Sequence, residues 1–343
     1  MKPEPRSRPG QPWALRGPAR VAAAAGVAAL ALLAATAGAQ EADTPDRTAA
    51  SRAPTTLSGT LAKVRASGSI ALGYRQASVP FSYLNARNEP IGYSIELCKA
   101  LVTSIEDAVN RSLAIRWVPV TADNRVDAVA SGQVDLECGS TTSNLERQKR
   151  VAFSPIMFVA GTKVMVRQDT QIRSVRDLAS KKVAVTAGTT NEKAMRDLDR
   201  KFHLGMQLQV VPDHSQGFAQ VAGGQSDAFA TDDVLLYGLI AENAGKADGN
   251  GGTGASTGAS PGARLQVVGD YLSYDPYAIM FRKDDPQLAQ VVRTSFQALA
   301  EDGEIERQYR RWFLRRLPSG TSLDLPMSAQ LQTLIETMAA QPR

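Results

Sequence analysis

The chain has 343 residues, 43% of them hydrophobic and 21% charged, with two cysteines and two histidines. That length suits two globular domains, and the composition excludes a disulfide-stapled miniprotein, a collagen-like chain and a wholly disordered one. The formal charge of +5 is concentrated at the N-terminus: residues 1–39 carry five basic side chains against Glu4 alone, which leaves the remainder at +1. Phosphate backbones are held by clustered Lys and Arg, so no nucleic-acid partner is expected.

Behind Lys2, Arg6, Arg8, Arg16 and Arg20 comes an apolar run over 21–37, then Ala37-Gly38-Ala39, small residues like those ahead of a signal peptidase cut. We read 1–39 as a secretory signal peptide cleaved after Ala39. An uncleaved anchor fits less well, because the run is Ala-rich and shorter than the roughly 20 residues a spanning helix needs. The absence of a cysteine near the cut disfavours a lipid anchor, and no later run reaches spanning length. A soluble, periplasmic mature chain is expected. In that oxidising compartment Cys98 and Cys138 can pair, and two buried free thiols fit the sequence equally well. No CxxC or HxxxH accompanies them, so no metal is expected.

Residues 40–56 are polar and aperiodic, a disordered leader. A helix over 57–66 and a strand over 69–75 follow, then a turn-rich stretch through Pro80 and Pro90. Over 94–110, Leu97, Leu101, Ile105 and Val109 recur on one helical face. Strands over 115–120 and 134–139 flank a helix over 124–131. The alternation restarts at Lys163, with strands over 163–167, 182–186, 208–211 and 227–231, and helices over 175–178, 192–201, 217–222 and 234–241. Residues 245–262 are too rich in Gly, Ser and Thr to hold a core and form a flexible loop. Its Gly249-x-Gly251-x-x-Gly254 matches a dinucleotide fingerprint in letters only, since it neither follows a strand nor opens a helix, and no cofactor is expected. Strands over 265–269 and 277–282 and helices over 286–300 and 304–315 follow. The C-terminal tail contains an amphipathic piece over 327–338, read as a loosely packed helix. Two series of alternating β and α elements predict two α/β lobes with largely parallel sheets.

Two places combine a strand, a hydroxyl-rich loop and a helix start. In one, Ser143-x-x-Glu146 fits a capping box; in the other, Thr189-x-x-Glu192 does. Amide groups at such helix starts suit a carboxylate or phosphate. A lone capping box simply starts a helix, but two matching loops, one of them followed by Arg147, suggest a clamp. Arg75 ends the first strand and Arg125 opens a helix, so both fall where ligand crevices of open α/β sheets lie. Each arginine taken singly reads as a solvated surface residue. If they converge, they suit a ligand with two carboxylates, because guanidinium groups grip carboxylates bidentately.

The stretches Arg75-Gln-Ala-Ser-Val-Pro-Phe-Ser-Tyr83, Gly92-Tyr-Ser94, Asp135-Leu-Glu-Cys-Gly-Ser-Thr-Thr142, Glu146-Arg-Gln-Lys149, Phe153-Ser154, residues 183–190, Asp213-His214 and Asp232-Asp233 resemble, in order, those of periplasmic amino-acid-binding proteins of ABC importers. The similarity runs from about Leu57 to Pro318 and is nearest the glutamate/aspartate-binding branch. It implies a two-lobed, type II periplasmic-binding-protein-like α/β fold, each lobe a mixed, mostly parallel sheet flanked by helices, with the ligand cleft between lobes. Lobe 1 would span 57–161 and 277–320, lobe 2 would span 162–276, and 321–343 would be the tail, with crossings near 160–163 and 273–277. The resemblance assigns Ser140, Thr142 and Arg147, helped by Thr186 and Thr189, to the α-carboxylate of an amino acid. It gives Asp232 the α-ammonium, and Arg75, Arg125 and His214 the side-chain carboxylate. Read without it, Asp232 is a helix cap and His214 a loop residue. Ala122 and Asp123 depart from the branch, which leaves the choice among Glu, Asp, Gln and Asn open. The partners implied are the permease and ATPase of an importer, with the binding protein a monomer that delivers its cargo by lobe closure.

Two rival readings are weaker. A periplasmic enzyme such as a dehydratase would need a cleft acid, for which only Glu96 or Glu137 offers itself, and Ser226, His214 and Asp232 make a triad on paper without a nucleophile elbow. A sensory ectodomain would be followed by a signalling domain, and none follows Pro318.

Overall fold

The computed structural model describes residues 56–247 and 264–341. The expected signal peptide, nearly all of the leader, and most of the Gly-rich loop with its Gly249-x-Gly251-x-x-Gly254 lie outside the described residues.

Two five-stranded sheets organise the fold. The first runs, in spatial order, Ala114–Pro119, Ser69–Tyr74, Leu136–Glu137, Met280–Arg282, Val151–Phe153. The second runs Gln207–Val211, Lys182–Thr186, Ala228–Asp232, Thr162–Arg167, Leu265–Val268. In each the first three strands are parallel and the last two pair antiparallel. The same pattern is thus built twice, once per lobe. Ser69–Tyr74 and Lys182–Thr186 are nearly continuous apolar runs because helices cover both faces of each sheet. The loops at the carboxyl ends of these parallel strands are where a crevice forms.

The chain passes between the sheets on a two-stranded antiparallel ribbon, Phe158–Ala160 paired with Asp275–Tyr277. An aromatic cluster anchors this ribbon to the first lobe: Phe81 packs on Tyr93, Phe158, Tyr277 and Phe313. Helix Asp233–Ala247 is wedged beside the crossing. Its Val234, Leu235 and Ala241 join the first lobe's core, while Leu236 and Leu239 join the second's. This explains why its sequence is apolar nearly all round. A Cβ at Gly238 would fall on the carbonyl of Val79, so only glycine lets the helix approach that closely.

Helix Tyr93–Val109 buries Leu97, Leu101, Ile105 and Val109 as their spacing requires, and Cys98 lies on the same face. Of the two alternatives for the cysteines, the structure has the bonded one, Cys98–Cys138, which ties that helix to the end of strand Leu136–Glu137.

Four expected elements differ. The strand expected over 134–139 pairs only at Leu136–Glu137, because the chain then turns into the hydroxyl-rich loop. The strand expected over 277–282 is split into Asp275–Tyr277, in the crossing ribbon, and Met280–Arg282, in the first sheet. One apolar run therefore serves two sheets. The C-terminal helix, Ala329–Ala339, is not loosely packed: Leu331, Ile335 and Met338 are buried in the first lobe's core. The helix expected over 304–315 begins as Glu304–Tyr309 and continues as a π-helical turn, Arg310–Leu314.

Candidate functional site

From the first lobe, Arg75 follows the strand Ser69–Tyr74, and Arg125 is the first residue of helix Arg125–Ala130. Both are almost fully buried, at 2% exposure, which is exceptional for arginine and rules out the solvated-surface reading. Arg125 Nη1 donates to the carbonyl of Ser140 at 3.1 Å. Arg147 lies on the four-residue helix Leu145–Gln148; its Nη1 donates to the carbonyl of Thr142 at 2.8 Å. The cap of that helix is Asn144, whose side chain accepts from the Arg147 amide, and not Ser143 as the capping-box spacing predicts. The Ser143 hydroxyl instead accepts from Gln148 Nε2. Glu137 is fully buried beneath this loop and accepts from Thr141 Oγ1 at 2.6 Å.

From the second lobe, Thr186 ends strand Lys182–Thr186, and its hydroxyl lies 2.9 Å from His214 Nδ1. His214 is not on a loop: it is the first residue of helix His214–Ala222 and is buried. Thr189 caps helix Thr190–Phe202, accepting from the Glu192 amide and donating to the carbonyl of Thr186 at 2.7 Å. Its hydroxyl proton is therefore used locally. Glu192 reaches back to the Gly188 amide, one residue beyond the reciprocal bond of a capping box. Asp232 closes strand Ala228–Asp232, directly before helix Asp233–Ala247; it accepts from Asn191 Nδ2 at 2.8 Å and from the hydroxyl of Tyr277.

The lobes meet across this region. Arg147 Nη2 donates to the carbonyl of Gly188 at 3.2 Å, and Thr142 Oγ1 lies 3.2 Å from Thr190 Oγ1 while donating to Asp275. Gly188 has φ +69°, and a Cβ there would come within 2.5 Å of Asp123 Cα. A cavity of about 130 Å³ lies between the lobes beside Arg75, bounded by Thr121 and Asp213.

Burial and mutual repulsion shape the charges. Loss of solvent and the charge of Arg125 lower Arg75 to about 9 and Arg147 to about 10, so both remain cations at neutral pH. Burial also lowers Arg125. Burial, then Arg75 and Arg125, hold His214 well below the usual imidazole range, so it stands neutral. Asp232 moves the other way: burial and the nearby carboxylate of Asp275 push it up to about 8. Tyr277 is raised by burial and by Asp232.

Of the residues singled out from sequence, Arg75, Arg125, Ser140, Thr142, Arg147, Thr186, Thr189, His214 and Asp232 all gather at this junction. Ser226 does not join His214 and Asp232 in a triad, since its hydroxyl is bonded to Gln209 and Gln220. The sequence reading missed Asn191, Asp275 and Tyr277, and considered Glu137 only as an enzyme acid. Asn191 had a local signal, lying two residues past the cap at Thr189; Tyr277 had none, because its place depends on the crossing ribbon. Arg75 Nη1, Arg125 Nε, Ser140 Oγ and Glu137 Oε1 are buried without a hydrogen-bond partner. Native proteins leave few such atoms, and these four lie on residues of the first lobe that face the junction. No cluster able to hold a metal occurs among the described residues.

Two α/β lobes on a ribbon hinge, with a donor-rich and cation-rich crevice between them, define a solute-receptor architecture. Residues 70–315 match the family model of bacterial extracellular solute-binding proteins, family 3. The chain is 37% identical over 282 residues to the L-glutamate/L-aspartate-binding protein of Pseudomonas aeruginosa, covering 81% of this chain and 88% of that one. It is 33% identical to the glutamate/aspartate import solute-binding protein of Salmonella typhimurium, covering 81% and 87%. Among solved structures it is similar to an ancestral amino acid-binding protein described as a precursor of cyclohexadienyl dehydratase, with 27% identity, TM-score 0.60, and 74% of this chain and 99% of that one covered. This chain belongs to the bacterial extracellular solute-binding proteins, family 3.

Proposed function

We propose that the protein captures L-glutamate or L-aspartate in the periplasm, after removal of a signal peptide ending at Ala39, and hands it as a monomer to the permease and ATPase of an ABC importer. The observation that carries this reading is the set of four unpartnered buried polar atoms, two of them on Arg75 and Arg125, together with half-buried Arg147 and buried Asp232. Arg147, with the Ser140 and Thr142 loop and the amides at the Thr189 helix start, holds the α-carboxylate. Asp232 takes the ammonium group, whose positive charge relieves the cost of ionising that carboxyl beside Asp275. Arg75 and Arg125 hold the side-chain carboxylate, and neutral His214 serves as a hydrogen-bonding wall on the opposite lobe. Because these groups come from both lobes, only a ligand touching both favours the closed form, which is the signal a transporter needs. The names of the relatives agree with an acidic ligand.

The decisive experiment is calorimetric titration against the twenty amino acids. Glutamate or aspartate should bind at least tenfold more tightly than glutamine, asparagine or arginine. Tightest binding of a basic or apolar amino acid would overturn the reading. A second reading, an enzyme, is favoured by the raised Asp232, which could act as an acid near neutral pH. We infer binding without conversion, and an NMR time course with excess glutamate checks it: the compound's signals should persist unchanged in integral.

A further inference from the structure

Glu137 has no part in the roles assigned above, yet it is the one carboxylate whose charge acts on Arg75, Arg125 and Arg147 alike. It is fully buried, at 0% exposure. One oxygen accepts from Thr141 Oγ1, and the other, Oε1, has no partner. A Cβ placed on Gly139 would fall on Glu137 Oε1 and against Arg75 Cγ, so the two side chains flank the same bare glycine. The charge of Glu137 acts on Arg75, Arg125 and Arg147 together. Neither Arg75 Nη1 nor Arg125 Nε is satisfied within the protein. A buried carboxylate with a free oxygen among cations, bonded to none of them, is not needed to orient a guanidinium. Its effect is on the potential that a ligand meets.

We propose that Glu137 is a specificity-determining residue that sets how much negative charge the pocket accepts beside Arg75 and Arg125. Glu137 is the one carboxylate that acts on both guanidinium groups, Asp213 facing Arg75 alone from the second lobe, so the pair with Glu137 leaves no more than a single positive charge there, which matches a side chain bearing one negative charge. A side chain with two, such as a phosphonate, meets Glu137 with its second charge uncompensated in a poorly solvated site, where like charges repel strongly. Oε1, an acceptor only, also leaves no donor for an extra anionic oxygen. This inference rests on the proposed acidic amino-acid ligand, and its test separates the two.

The test compares glutamate with two glutamate analogues that share a tetrahedral head group, the sulfonate homocysteate with one negative side-chain charge and 2-amino-4-phosphonobutanoate with two at about pH 8.5. Wild type should bind homocysteate at least tenfold more tightly than the phosphonate. Glu137→Gln, close to isosteric and uncharged, should cut that ratio by tenfold or more, and Glu137→Asp should keep it. Equal shape in the two analogues removes size from the comparison, and a purely structural role for Glu137 would weaken both alike and leave the ratio unmoved. An unchanged ratio in a Glu137→Gln protein that still binds homocysteate would overturn the proposal, as would wild type taking both analogues equally. Should Glu137→Gln not fold, wild type alone decides: its ratio must fall as the pH is lowered to about 5.5 and the phosphonate becomes a monoanion, and a constant ratio sinks the idea. If glutamate itself fails to bind, the ligand reading falls; if glutamate binds and the ratios do not behave as stated, only the role of Glu137 falls.

Discussion

Arg147 and Arg75 are both buried in part or whole, yet their surroundings give them different work. Arg147 bridges the lobes through the Thr142 and Gly188 carbonyls, whereas Arg75 lies deeper, with Nη1 unpartnered beside the interlobe cavity. Removing one partner of a buried charge pair costs about 2–5 kcal/mol. Arg147→Ala is therefore expected to weaken every amino-acid ligand by tenfold or much more, while Arg75→Ala mainly erases the preference for glutamate over glutamine; calorimetry on both variants checks this, and equal losses for every ligand would contradict the division. Asp232 supplies a pH test. Its folded-state pKa, about 8, lies above the ordinary 3.8, so its contribution to folding stability is fully present below about 4 and is lost as pH rises through 8. As far as Asp232 is concerned, ligand-free protein should resist urea unfolding better at about pH 5 than at about pH 9. Asp232→Asn should flatten that dependence.

At the scale of elements, two short connections carry most of the consequence. The turn between strand Lys182–Thr186 and helix Thr190–Phe202 needs glycine twice over at 188, for its positive φ and for the backbone of Asp123 pressed against it. Gly188→Ala keeps the second lobe's core intact but obstructs the meeting of the loops. Its expected effect is a tenfold or greater loss of glutamate affinity with a melting temperature lowered by only a few degrees; an undiminished affinity would show that the loops need not touch. The disulfide works elsewhere. Cys98 and Cys138 are 40 residues apart in sequence and join helix Tyr93–Val109 to the strand beneath the binding loop. Closing a loop of that size constrains the unfolded chain, so Cys98→Ala with Cys138→Ala should cost about 2–4 kcal/mol in urea unfolding while leaving binding largely intact.

At the scale of the molecule, the chain crosses between lobes on one ribbon whose aromatic side chains belong to the first lobe's core. The ribbon is thus fixed to the first lobe, and the proposed closure would carry the second lobe about it. Ligand-linked closure should contract the radius of gyration in small-angle scattering when glutamate is added and leave it unaltered when arginine is added. A profile insensitive to saturating glutamate would remove closure from the mechanism.

The local and periodic features of this protein were decided by the sequence alone. Alternating apolar runs specify two α/β units because each run has to bury one face, and the helix bearing Leu97, Leu101, Ile105 and Val109 lies where its spacing puts it. The arginines were legible because strand ends and helix starts are where such folds gather ligand groups, whereas Thr186 and Asp232 were singled out only through the family resemblance. Tertiary structure decided what depends on residues distant in the chain. The apolar run over 277–282 divides between two sheets, and the tail helix packs into the first lobe's core, because each meets partners more than a hundred residues away. The same holds for the cysteines, which composition left open and proximity joined. Glu137 is the clearest case: in sequence it is one acidic residue in a strand, and only the folding of Arg75, Arg125 and Arg147 around it makes its buried charge matter, since Coulomb interactions depend on distance and solvent exclusion and not on order along the chain.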